Sequence, residues 1–240
     1  DNAMGPVYGA MPAPTEAQRD AALARAVAFA ASKGVTAVNF MSAPTSSLGA
    51  FQRARAAGTL TVRTKMFFAI EAWRWVADTV AAIGAGDDCL RLDGVKGYMD
   101  GSLGSTTALL FNPYLDAPDT RGLETTPLDS MRRWVQAADS ASLQVAIHAI
   151  GDRANAMLLE VFDSVAVANG PRDRRFRIEH AQHLRPEDIT RIARMNVIPS
   201  MQPYHVIDDG RWAAKRLDST LLQTTYAFRD LIDQGAHLEF

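Results

Sequence analysis

Short apolar runs alternate with longer segments of helical period along this chain. The first clear helix opens at Thr15, where Gln18 suits a capping box, and its alanine-rich body continues to Lys33 before Gly34 stops it. Val35-Thr36-Ala37-Val38-Asn39-Phe40 follows, apolar and β-branched in the manner of a strand buried on both faces. Further strands are predicted at Leu60–Phe68, Val95–Met99, Gln144–Ile150, Phe176–His180, Val197–Gln202 and His237–Phe240. Helices are predicted at Ala72–Ala85, Leu128–Ser140, Arg153–Ala168, Pro186–Arg194 and Thr220–Gln234, several opened by Pro, Asp or Thr. Asp1–Pro14, rich in Gly, Pro and Met, shows neither period and reads as a loop. Strands joined by crossover helices predict a parallel sheet. An open doubly wound sheet and a closed barrel both satisfy that pattern, because periodicity carries no information about closure.

Composition narrows the class without naming a function. The 240 residues, 48% hydrophobic, suffice for one large domain, and a single barrel fits the length. The 25 Lys and Arg against 27 Asp and Glu leave a net charge of −2 with no basic stretch, which argues against a nucleic-acid partner. No apolar run reaches the roughly 18 residues that span a bilayer, and the N-terminus lacks the basic-then-apolar order of a secretory signal. A soluble, cytoplasmic protein with no membrane partner is the expectation. The single cysteine, Cys89, excludes an intramolecular disulfide and a thiolate-rich zinc site, and its context suggests packing.

The chemistry clusters where the apolar strands end: Lys96 and Asp100, His148 and Asp152, Glu179 and His180, Gln202 and His205. In a parallel barrel all strand C-termini open onto one face, so these residues would converge on one pocket. His148 and His180 each close an apolar strand, and neutral imidazoles from neighbouring strands can share one metal ion; either alone reads equally as a core histidine bonded to a carbonyl. Lys96 lies inside Val95-Lys96-Gly97-Tyr98, where an unpaired ammonium is costly to bury. It must be paired, exposed or neutralised, either by a salt bridge or by reaction of the amine with carbon dioxide to a carbamate. The glycine-rich run Met99 to Thr107 has neither the dinucleotide nor the P-loop spacing and reads as an anion-binding loop or a tight turn.

At these residues the chain resembles a known family. Val95-Lys96-Gly97-Tyr98-Met99-Asp100-Gly101-Ser102-Leu103-Gly104-Ser105, His148-Ala149-Ile150-Gly151-Asp152-Arg153-Ala154 and Arg177-Ile178-Glu179-His180-Ala181-Gln182 resemble, in that order, the amidohydrolase superfamily branch that includes N-substituted formamide deformylase. Ser200-Met201-Gln202-Pro203-Tyr204-His205 is similar to that branch's next strand end. The resemblance implies a (β/α)₈ TIM-type barrel and hydrolysis of an amide-like C–N bond with one or two divalent metals, zinc first among them. It implies His148 and His180 as ligands on strands five and six and Lys96 as a carboxylated lysine on strand four. Asp100, Asp152, Arg153 and His205 become substrate-pocket residues.

The departures are equally specific. Relatives open the barrel with His-x-His and close it with Gly-Ser-Asp, and neither element occurs here. Where relatives tend to carry His-Asp, this chain has Asn39-Phe40. The sequence therefore reads as an incomplete barrel, lacking the first strand and the end of the last, and lacking the flanking β-sandwich. By itself such a piece is expected to be inactive, with exposed strand edges that invite a homodimer. Two other readings compete: a non-catalytic small-molecule or partner-binding barrel, and a metal-independent barrel enzyme using Asp100 or Asp152 as general acid or base.

Overall fold

The computed structural model describes residues 4–240. Its elements run α1 (Met4–Ala10), α2 (Glu16–Ser32), β1 (Ala37–Ala43), α3 (Leu48–Ala56), β2 (Arg63–Ala69), α4 (Trp73–Ile83), β3 (Leu90–Tyr98), α5 (Leu128–Ser140), β4 (Gln144–Ala149) and α6 (Asp152–Asn169). They continue with β5 (Arg177–His180), α7 (Pro186–Arg194), β6 (Ile198–Ser200), α8 (Pro203–Asp209), α9 (Ala213–Arg216), α10 (Ser219–Leu222) and α11 (Phe228–Asp233). The capping box at Thr15 and Gln18 forms in both directions. None of the described helices is long and apolar enough to cross a membrane.

The sheet has six parallel strands in sequential order, β1 to β6. Laid flat, its outer strands would stand roughly 24 Å apart at ~4.8 Å per step. Yet the Asn39 side chain of β1 donates to Glu239 at 2.6 Å, and Glu239 bridges Ser200 of β6. The sheet must curl to allow that contact, so the six strands form part of a TIM-type barrel. A cavity of about 610 Å³ lies in the gap, lined among others by Asn39, Lys65, Arg177, Glu179 and Glu239. Lys65 pairs there with Asp93 at 3.0 Å and Arg177 with Glu179 at 2.8 Å, so the inner charges are compensated. The outward side chains Met66, Phe68, Val95, Val145, Ile147 and Ile178 are buried beneath the helices.

The structure corrects the sequence reading at four places. Met4–Ala10 is helical where a loop was expected, and Pro6 sits near its start, where a missing N–H costs little. β1 is mostly exposed instead of covered on both faces, because it has a strand neighbour on one side only among the described residues. His237–Phe240 contributes a single bridge residue, Glu239, in place of a seventh strand. The helix expected over Thr220–Gln234 breaks into α10 and α11: the Tyr226 N–H, at φ 54°, turns away to the Gln182 carbonyl, and Thr224 bonds Leu184.

Gly94 shows how tightly β3 is packed. A Cβ there would lie 2.6 Å from the Phe67 ring and 2.8 Å from the Met66 carbonyl oxygen. Gly94→Ala is expected to lower the unfolding free energy by about 1–3 kcal/mol, read as a lower urea midpoint at unchanged slope.

Candidate active site at the strand ends

Lys96 is 4% exposed, and its Nζ donates to the carbonyl of its neighbour Gly97 at 2.9 Å. The Tyr98 ring covers it, 3.8 Å from Nζ to centroid. Among the described residues no carboxylate forms an ion pair with it, and Glu179, whose charge acts on it most strongly, is engaged by Arg177. Burial outweighs the attraction of Glu179 and Asp100 and brings the Lys96 amine down to about 7.

His148 and His180 close β4 and β5 with ring centroids 4.7 Å apart and edge-on. Nε2 of His148 stands 2.7 Å from the Gly101 carbonyl, which can only accept, so that nitrogen carries the proton and Nδ1 keeps its lone pair. For His180 the roles reverse. Gln202 donates its amide to the Ser200 carbonyl, which turns Oε1 toward His180 Nδ1 at 2.6 Å and leaves Nε2 free. Desolvation lowers both imidazoles, His148 to about 3, so each is a neutral donor at neutral pH. His205 stacks on His180 at 5.8 Å.

Asp100 lies beneath these groups as a brace. Its Oδ2 accepts from the N–H groups of Leu109 and Gly151, both at 2.8 Å, and its Oδ1 from Ile150 at 3.0 Å. Burial pushes it up to about 7 against those three donors. A Cβ at Gly151 would meet the Leu109 carbonyl at 2.0 Å, so only glycine admits the loop that Asp100 ties down. Asp152 opens α6 and accepts from the Phe111 and Arg153 N–H groups. Among the described residues no hydrogen bond or ring contact joins Asp152 or Arg153 to Lys96, His148 or His180. Lys96, His148, His180 and His205 are thus brought together, and Asp152 and Arg153 are not. Tyr98 and the Gly101 carbonyl are participants that sequence reading missed. The twofold strand period, which puts Lys96 and Tyr98 on one face, was the signal for the first of them.

A profile of the Amidohydrolase family matches residues 1–240. The chain belongs to that family. It is 40% identical over 233 residues to protein LONG AFTER FAR-RED 3 of Arabidopsis thaliana, covering 92% of this chain and 40% of that protein. An uncharacterized metal-dependent hydrolase from Pyrococcus horikoshii OT3 superposes with a TM-score of 0.82 at 33% identity, over 94% of this chain and 44% of that one. Another, from Pyrococcus furiosus, gives 0.82 at 29% identity, over 94% and 46%. The chain spans less than half the length of each.

In this amidohydrolase chain the chemistry of the two imidazoles fits a divalent ion. Among the described residues no three His, Cys, Asp or Glu side chains gather as a ready-made site. Two neutral imidazoles do gather, each with one nitrogen hydrogen-bonded from behind and the other free, which is how metal-ligating histidines are oriented.

Another histidine is structural. His183 is fully buried, with Nδ1 3.0 Å from Thr225 Oγ1 and Nε2 3.1 Å from the Gln182 amide nitrogen. Burial lowers it to about 3 from an unfolded value of 6.5. Below pH 6.5 the unfolded chain takes up a proton that the folded chain refuses, so this group's contribution to stability is complete above that pH and is lost toward pH 3. Unfolding free energy in the parent should fall by about 1.4 kcal/mol per pH unit more steeply between pH 6 and 4 than in His183→Gln, measured by urea titration at each pH.

Proposed function

We propose that the whole protein is a metal-dependent hydrolase of amide-like C–N bonds, and that this chain carries the lysine–histidine part of its metal centre. The observation that carries the reading is a buried, carboxylate-free Lys96 beside two imidazoles with free lone pairs. His148 would hold an ion through Nδ1 and His180 through Nε2. Lys96 would contribute a carboxylate oxygen after its neutral amine attacks carbon dioxide, forming the N–C bond and releasing one proton to solvent. An amine lowered to about 7 is largely unprotonated at slightly alkaline pH and so is nucleophilic enough for that step. Two imidazoles and an oxygen suit zinc. When bound, such an ion supplies Lewis acidity toward a carbonyl oxygen and lowers the pKa of water to about 7.

The chain's own residues do the positioning. The Gly101 carbonyl and Gln202 fix the two imidazole tautomers, Asp100 holds the loops on which the first of these sits, and the Tyr98 ring shields Lys96 from water. His205, half-buried against His180, would meet the substrate. N-substituted formamides are the substrate class to try first, on the motif resemblance at residues 95–105, 148–154 and 177–182. Turnover is proposed for the whole protein and not for residues 1–240 alone.

Plasma mass spectrometry on chain expressed with added zinc and bicarbonate tests this. The parent is expected to retain metal and a His148→Ala/His180→Ala double variant to lose it. Equal metal content in the two would refute the ligand assignment, and a folded, metal-free parent would favour a non-catalytic binding barrel.

A further inference from the structure

The backbone at the end of β5 is strained. His180 and Ala181 both occupy the left-handed region, at φ 79° and 43°, a conformation that costs non-glycine residues of order 1 kcal/mol or more each. Something must over-determine that turn. Gln182, next in the chain, is 2% exposed, and its amide donates to Asp209 Oδ2 at 2.5 Å and to His183 Nε2 at 3.1 Å. The Tyr226 hydroxyl donates to the same Asp209 oxygen, and the Tyr226 N–H donates to the Gln182 carbonyl at 2.8 Å. The segment after His180, the α10–α11 turn and the last residue of α8 are therefore joined at one carboxylate.

What Asp209 secures is a helix that cannot secure itself. α8 has seven residues and buries none of its side chains; Tyr204 and Ile207 are 67% and 57% exposed. A helix this short is unstable alone, and without a buried apolar anchor its place is set by whatever polar ties it makes. Among the described residues, the side-chain hydrogen bonds from α8 to the rest of the chain all run through Asp209. A further tie is the stack of His205 on His180.

We propose that Asp209, gripped by Gln182 and Tyr226, latches α8 to the turn after β5 and thereby sets His205 against His180. Asp209 and Tyr226 are then positioning residues, acting through His205 and His180 from outside the metal centre. That the latch serves catalysis rests on the metal-centre reading above; that α8 is latched does not.

Diethylpyrocarbonate labelling of the metal-free chain, followed peptide by peptide, reads the latch directly. In Asp209→Ala and Tyr226→Phe, loss of hydrogen bonds to a charged group should raise the labelling rate of His205 about tenfold, while exposed His237 keeps its rate. Asp209→Asn, which retains an oxygen acceptor, should stay within about twofold of the parent. Circular dichroism and the melting temperature identify any variant that has merely unfolded; should Asp209→Ala be one, Tyr226→Phe, which removes a single hydroxyl, carries the comparison. An unchanged His205 rate in folded Asp209→Ala and Tyr226→Phe overturns the latch. Zinc affinity by chelator competition separates the two claims. Weaker binding in Asp209→Ala supports the positioning role, unchanged binding with faster labelling overturns that role alone, and a parent that binds no zinc overturns the metal-centre reading while the labelling still decides the latch.

Discussion

A lysine amine buried at the mouth of a parallel sheet, with no carboxylate among the described residues to pair it, is the constraint around which the site is built. An ammonium in that place would forfeit its hydration for one carbonyl contact and a ring face, which is why burial draws Lys96 down to about 7. The same desolvation keeps His148 and His180 neutral. Two neutral imidazoles, each with a free lone pair, and an amine that gives up its proton near neutral pH converge on one face of a curled sheet. The metal centre proposed above would use those donors, and membership of the Amidohydrolase family is consistent with it.

Holding such groups together takes a second layer of polar contacts. Asp100 gathers the loops after β3 and β4 through three backbone N–H groups, and the Gly101 carbonyl one residue on fixes the His148 ring. Gln202, just past β6, fixes His180 across the sheet. The left-handed turn at His180 and Ala181 is held in turn by the buried network of Gln182, His183, Asp209 and Tyr226. Hydrogen bonds to these loops act together with apolar packing, since Leu103, Ala108, Leu110, Tyr114 and Ile150 form a buried cluster of their own beside the main core.

What could be read in the sequence was what local pattern encodes. Leu128–Ser140 and Pro186–Arg194 match α5 and α7 at both ends, since their amphipathic period and N-terminal prolines are local signals. α3, α8 and α9 escaped, because a four- to nine-residue helix offers too few turns to register a period. The exposure of β1 and the reduction of the last strand to Glu239 depend on which strands are neighbours, which no period records. At the site, strand-end position was enough to select Lys96, His148 and His180. The role of Asp100 was hidden, because its partners Leu109, Ile150 and Gly151 are backbone groups up to 51 residues away. Asp152 and Arg153 were named from the motif that follows His148, but at the start of α6 the Asp152 carboxylate accepts from the Phe111 N–H and the Arg153 N–H donates to the Leu109 carbonyl.

The chemical state of Lys96 is the point on which this account turns, and carbon NMR reads it most directly. Chain prepared with zinc and ¹³C-bicarbonate should give one carbamate resonance that is absent from Lys96→Met and is lost on acidification. A spectrum without that resonance, from a parent that nevertheless holds metal through His148 and His180, would contradict the assignment of Lys96 as the third ligand.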